Sequence, residues 1–170
     1  MKILAIRLKN LASLAGPFEL DFTAEPLASA GLFAITGPTG AGKSTLLDAL
    51  CLALFGAVPR LNNTGRDAKV PDADGEIATG DPRTLLRRGT GEGYAEVDFM
   101  GIDGRRYRAR WETNRAREKA NGKLQASRQS LRDLDSDQLL ASQKSDYKVQ
   151  LESRLGLNFE QFTRAVMLAQ

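Results

Sequence analysis

The run Gly37-Pro38-Thr39-Gly40-Ala41-Gly42-Lys43-Ser44-Thr45 carries the most specific chemistry in this sequence. Gly37 to Ser44 fit the pattern G-x-x-x-x-G-K-[ST] without a gap, and each fixed position has a physical reason. Glycines at 37, 40 and 42 let the backbone turn successive N–H groups inward, forming an anion-binding nest. A helix that starts at the loop adds its positive dipole end and its unpaired N–H groups. Lys43 reaches the β- and γ-phosphate oxygens of a nucleoside triphosphate, the Ser44 hydroxyl offers a ligand to Mg2+, and Thr45 stands by the α-phosphate. The competing explanation is a glycine-rich turn that matches by chance, and the flanking residues argue against it. "GLFAIT" (31–36) reads as a short apolar strand buried on both faces. After the loop, Leu46, Leu47, Leu50, Cys51 and Leu54 recur at helical spacing, which predicts a helix from Lys43 to about Phe55.

Other elements must position that loop. "KILAIRLKN" (2–10) and "FELDFT" (18–23) read as strands, and Ala15-Gly16-Pro17 between them predicts an antiparallel hairpin. Residues 56–82 are rich in Gly, Pro, Asp and Asn without lasting periodicity and read as a long loop. "RTLLRRG" (83–89) suggests a brief helical turn. "YAEVDFM" (94–100) and "RRYRARWE" (105–112) predict a β-hairpin around "GIDG". In its second strand Tyr107, Ala109 and Trp111 share one face and Arg106, Arg108 and Arg110 the other. "GKLQASRQSLRDL" (122–134) reads as a third strand. Two helices follow, one from about Lys144 and one over 158–170 with Asn158 as its N-cap.

Composition narrows the function classes. The chain has 170 residues, 42% hydrophobic and 26% charged, as expected of one globular domain. It has no histidine, which excludes a Ser-His-Asp triad and any histidine-based zinc site, and its single cysteine, Cys51, excludes an internal disulfide. No apolar run is long enough to span a bilayer and the N-terminus lacks a signal-peptide pattern, so a cytoplasmic protein without membrane contact is expected. Net charge is +3, but residues 101–132 hold ten Lys/Arg against three Asp/Glu. That local excess is either a solvated face or a nucleic-acid contact, with the arginine row 106, 108 and 110 as the candidate phosphate-binding surface.

The kind of nucleotide machine is constrained by what accompanies the loop. "DADG" (72–75) and "QKSD" (143–146) resemble GTPase motifs only loosely, in a polar loop and at a helix start. A self-contained small-molecule kinase or NTPase is the alternative reading, but its helices and arginine-bearing lid do not match three strands over 94–134. Those strands predict an antiparallel subsheet beside a phosphate-loop core, within an α/β fold of the P-loop NTPase class.

Six segments, "MKILAIRLKNLASLAGPFELDFT", "GLFAITGPTGAGKSTLLDALCLALFG", "LLRRG", "YAEVDF", "YRARW…NRAR…GKLQ" and "FTRAVMLAQ", together resemble the SbcC family. These are the ATPase components of bacterial SbcC–SbcD nucleases, relatives of SMC proteins with an ABC-type head. The resemblance implies that residues 1–170 form the N-terminal lobe of a split head, with a long coiled coil and a C-terminal lobe to follow. It implies ATP and Mg2+ bound by Gly37 to Thr45, and Gln170 as a glutamine-loop residue contacting Mg2+ and the catalytic water. It also places Asn10 to Ser13 near the base and Arg87 near the pocket; some relatives carry a basic residue where this chain has Ala12. The implied partners are the C-terminal lobe, an SbcD-type metal-dependent nuclease, double-stranded DNA, and a second head joined head-to-head through ATP, in the nucleoid-associated cytoplasm. An apolar strand ending in Asp-Glu and an "LSGG"-like signature are absent from this sequence, so this chain alone is expected to hydrolyse ATP poorly.

Overall fold

The computed structural model describes residues 1–62, 68–73 and 75–165. The strands are β1 (Lys2–Lys9), β2 (Phe18–Asp21), β3 (Lys69–Asp72), β4 (Gly75–Ala78), β5 (Glu92–Met100), β6 (Arg106–Asn114), β7 (Arg128–Asp133) and β8 (Gln138–Ala141). The helices are α1 (Lys43–Phe55), α2 (Pro59–Asn62), α3 (Lys144–Leu155) and α4 (Phe159–Ala165). Six strands form one sheet in the order β2-β1-β5-β6-β7-β8, with every neighbour antiparallel. The N-terminal hairpin and the expected subsheet are therefore one continuous sheet.

Alternation in the sequence sets the two faces of this sheet. In β6, Tyr107, Ala109, Trp111 and Thr113 are buried while the residues between them are partly open. They sit opposite Phe99, Val97, Ala95 and Gly93 of β5, so that Tyr107 meets Phe99 ring to ring and Trp111 covers Ala95 in the layer under α1. Leu8, Phe99, Trp111 and Leu131 join Leu50, Leu52 and Leu54 of α1 in one core. Burying each such side chain contributes roughly 1.5–3 kcal/mol. The helix α1 is buried around most of its circumference, not along a single stripe, with Leu47 among its exposed residues. Gly56 ends it in a left-handed conformation, φ 63°, its N–H bonded to Leu52 O at 2.8 Å.

Beyond the sheet, α3 buries Tyr147, Leu151 and Leu155 at four-residue spacing, and Tyr147 Oη donates to Ala53 O at 2.6 Å, tying α3 to α1. Asn158 caps α4 as the sequence predicts. Its Oδ1 accepts from Gln161 N–H at 2.9 Å, while Gln161 Oε1 accepts from Asn158 N–H at 3.0 Å. Phe55, Phe159 and Phe162 then pack ring to ring.

Two expectations need correction. Residues 56–82 are not one loop: among the described residues they contain α2 and the β3–β4 hairpin, and Pro82 opens a short 3-10 helix, Pro82–Leu85, where the sequence suggests a helical turn. Asp72 anchors that hairpin, accepting from Arg115 Nη1 at 2.6 Å and Leu124 N–H at 3.0 Å, a pairing that local periodicity does not reveal. Residues 31–36 form no strand, and Leu32, Phe33 and Ile35 are 93%, 44% and 45% exposed. An apolar strand buries only when neighbours pair its backbone and cover both faces, and among the described residues none pair it. Phe33 instead leans on Phe22, ring centroids 5.4 Å apart. It shares with Ile35, Leu46, Leu47 and Leu50 an open groove of about 460 Å3.

Candidate nucleotide-binding site

The phosphate loop takes its shape from glycine. Gly40 and Gly42 are left-handed, φ 83° and 94°, a conformation that strains any side chain. A Cβ at Gly42 would also lie 2.6 Å from Leu14 Cδ2. Because the residue before α1 is glycine, no side chain caps the first turn. Its N–H groups are those that bind anions at a helix N-terminus. Ala41 N–H donates to Pro38 O at 3.1 Å and closes the loop on itself. Lys43 Nζ donates to the carbonyls of Gly37 at 2.7 Å and Pro38 at 2.9 Å, so its ammonium lies against the same loop.

A cleft of about 360 Å3 brings together Ala12, Ser13, Thr39, Gly40, Gly42, Lys43, Ser44, Thr45 and Arg60. Cavities of about 480 Å3 lie elsewhere, but neither contains a glycine-rich loop at a helix start. The turn that supplies Ala12 and Ser13 is fastened from below. Leu11 and Leu14 exchange backbone hydrogen bonds at 3.0 and 2.9 Å, and Arg87 Nη1 donates to Ser13 O at 2.6 Å. Arg87 N–H also donates to Asn10 O at 2.9 Å. Asn10 Nδ2 donates to Glu92 O at 3.0 Å, tying the turn to β5. Of the residues the resemblance placed near the pocket, Ser13 is part of the cleft lining. Asn10 and Arg87 are outside that lining and brace the turn. Gln170 lies outside the described residues. Arg60 in the cleft was missed, and the only sequence signal for it was its place directly after the helix.

The donor set suits the groups the motif implies. Mg2+ keeps most of its shell as water and phosphate oxygen and takes one or two protein ligands. The exposed Ser44 hydroxyl at the start of α1 fits that role. Thr45, 6% exposed, is held deeper in the same turn.

The arginine row is placed as expected but is not an open cationic surface. Arg108 grips Asp98 through two bonds, Nε to Oδ1 at 2.7 Å and Nη2 to Oδ2 at 2.8 Å. Arg110 donates to Glu96 at 3.0 Å and to Glu112 at 2.9 Å, and lies 4.1 Å over the Tyr94 ring. Arg106 donates to Asp135 at 2.8 Å. Register explains the pairing: Glu96 sits opposite Arg110 and Asp98 opposite Arg108, with Arg7 beside both on β1. Burial alone would push the Asp98 carboxyl up, but hydrogen bonds from Arg108 and Arg7 outweigh it and hold the group below its ordinary value.

A phosphate loop at the N-terminus of a buried helix, backed by a β-sheet, defines a nucleotide-binding domain of the P-loop ATPase class. Residues 5–170 match the family described as "AAA domain", and the chain belongs to that family. It is 70% identical over 171 residues to the SbcC component of the SbcCD nuclease from Pseudomonas aeruginosa, and 54% identical over 171 residues to the protein of that name from Rhodobacter capsulatus. Both matches cover 100% of this chain and 14% of the relative, so the chain spans about one seventh of their length. It is also 34% identical over 108 residues to "Probable DNA double-strand break repair Rad50 ATPase" of Aquifex aeolicus, covering 64% of this chain and 9% of that protein. Among the described residues no helix is long and apolar enough to cross a membrane.

Proposed function

We propose that this chain is the phosphate-loop lobe of a split ABC-type ATPase head in a DNA-processing nuclease complex. The observation that carries the reading is the cleft itself. It combines a glycine nest, a helix start, Lys43 and Ser44 with the turn at Ala12 and Ser13 in one concave surface. ATP binds there with its phosphates on the N–H groups of the loop and of α1. Lys43 neutralises β/γ charge, and Ser44 gives one ligand to Mg2+. Mg2+, when bound, would supply positive charge to offset the negative charge that develops in phosphoryl transfer.

The rest of the machine belongs to other segments in this reading. The C-terminal lobe supplies the acidic residues that bind metal and polarise water, and Gln170 joins them near the metal. A second head caps the γ-phosphate through its signature segment, so ATP binding drives head-to-head dimerisation. An SbcD-type nuclease partner cuts double-stranded DNA under control of that cycle, in the cytoplasm at the nucleoid. The open apolar groove beside α1 favours this over a self-contained kinase, because its exposed leucine and phenylalanine side chains suit a second lobe. Bound DNA phosphates would have to displace Glu96, Asp98, Glu112 and Asp135 from the arginine row, so a solvated sheet face is favoured for Arg106, Arg108 and Arg110. Titration of Mg–ATP into the full-length protein tests the central assignment. Saturable binding that is lost in Lys43→Ala is expected, and binding that ignores Lys43 rejects it.

A further inference from the structure

Arg60 stands outside the phosphate-loop pattern yet lines the same cleft as Lys43, Ser44 and Thr45. The chain brings it back there: Gly56 turns out of α1, Val58 is buried, and α2 opens at Pro59 with Arg60 beside the first helix. Its guanidinium holds Asp48 side-on, Nε to Oδ1 at 3.0 Å and Nη2 to Oδ2 at 2.5 Å. The Asp48 side chain is 8% exposed, against 46% for Arg60. Asp48 follows Ser44 by one helical turn, so the two side chains project from the same side of α1. A buried carboxylate is thus built into the end of the helix that must attract a polyanion. Burial already pushes that carboxyl above its ordinary value, with Arg60 opposing the shift. Nothing in the G-x-x-x-x-G-K-[ST] chemistry calls for an acid at this position.

We propose that Arg60 is a positioning residue of the nucleotide site, cancelling the Asp48 charge beside the phosphate loop so that the loop's field stays favourable to a triphosphate. The planar fork of arginine fits this task, because it covers both carboxylate oxygens at once. The inference rests on the reading of the cleft as an ATP site. It adds that this site depends on a charge pair outside the loop.

Equilibrium titration of a fluorescent Mg–ATP analogue into the full-length protein tests it. Arg60→Met, which keeps length and removes charge, is expected to weaken binding about tenfold, and Arg60→Lys to recover most of that loss. The double variant Asp48→Asn/Arg60→Met, with no carboxylate left to cancel, is expected to bind within about threefold of wild type. The gap between Arg60→Met and wild type should narrow as salt rises from about 0.05 to about 0.5 M, which a purely structural defect would not do. Wild-type affinity in Arg60→Met, or a double variant as weak as Arg60→Met, overturns the proposal. If Arg60→Met fails to fold, the double variant decides alone: affinity about tenfold below wild type overturns it. A Lys43→Ala control separates the two readings. Loss of binding there with an unaffected Arg60 series sinks only the Arg60 inference, whereas no effect of Lys43→Ala sinks the ATP site as well.

Discussion

On the sheet side of α1, Phe99, Tyr107 and Trp111 are at most 1% exposed, and the charges on the far face of the sheet pair arginine to carboxylate across the strands. On the other side, Leu32 is 93% exposed, with Phe33, Ile35 and Leu47 each near half, and residues 31–36 form no strand. The same helix therefore separates a region whose apolar side chains are buried from one whose apolar side chains are left open. The difference teaches where the fold is self-sufficient and where it is prepared for something else. Antiparallel strands close locally, because hairpins such as β5–β6 bring partners together over few residues. A strand of the kind that precedes a phosphate loop needs partners on both edges, and the described residues supply none.

That contrast can be broken in order of expected effect. Trp111→Ala should be the most damaging, costing about 3–5 kcal/mol because the cavity opens in the closed half of the core. Chemical denaturation read by far-UV circular dichroism would show it; a loss under 1 kcal/mol would mean that the sheet core is far looser than its burial suggests. Lys43→Ala should lower Mg–ATP affinity about 100-fold, near 2.7 kcal/mol, with the fold intact. That result would separate the site from the scaffold that holds it.

Arg108→Leu removes the bidentate partner of Asp98, leaving Arg7. We expect a loss of about 1 kcal/mol, at the low end for a buried pair because Arg108 is about one third exposed. The same lattice fixes a pH dependence. The folded carboxyl of Asp98 titrates below its unfolded value near 3.8, so its contribution is present above that value and is lost as pH falls through the lower folded one. Asp98→Asn should therefore flatten the acid limb of a stability–pH curve below about pH 4 and leave its shape at neutral pH unchanged. Replacing Arg106, Arg108 and Arg110 together should leave the salt slope of DNA binding by the full-length protein within about one unit; a much larger drop would identify the row as a phosphate contact. The smallest effect belongs to Leu32→Ser, expected within about 0.5 kcal/mol of wild type in residues 1–170, since that side chain is already in water.

The legible parts of the sequence were those whose physics is local. Helix α1, the alternation of β6 and the Asn158 cap each depend on residues within a few positions of one another. The nine positions of the phosphate loop were readable for the same reason, since their spacing is the chemistry. What stayed hidden depends on pairing at a distance. Asp72 holds the β3–β4 hairpin through Arg115 and Leu124, far along the chain. The arginine row looked free because strand periodicity shows which face a side chain takes but not what stands opposite it. Glu96 and Asp98 share the phase of that row, and the "GIDG" turn sets the register that joins them. Arg60 escaped because it reaches the cleft only through the turn of the chain after α1 and its pairing with Asp48 on that helix. The apolar run at 31–36 reads as a buried strand but is neither strand nor buried, since composition shows what a segment needs and not whether neighbours pair and cover it.

The central claim is that this lobe binds the phosphates but cannot complete the chemistry. Its most direct test is ATP turnover by residues 1–170, measured alone and after addition of the C-terminal lobe of the same head. Turnover is expected only when both are present, and it should fall in Lys43→Ala and Gln170→Ala. Substantial Lys43-dependent turnover by residues 1–170 alone would contradict the account and point to a self-contained NTPase.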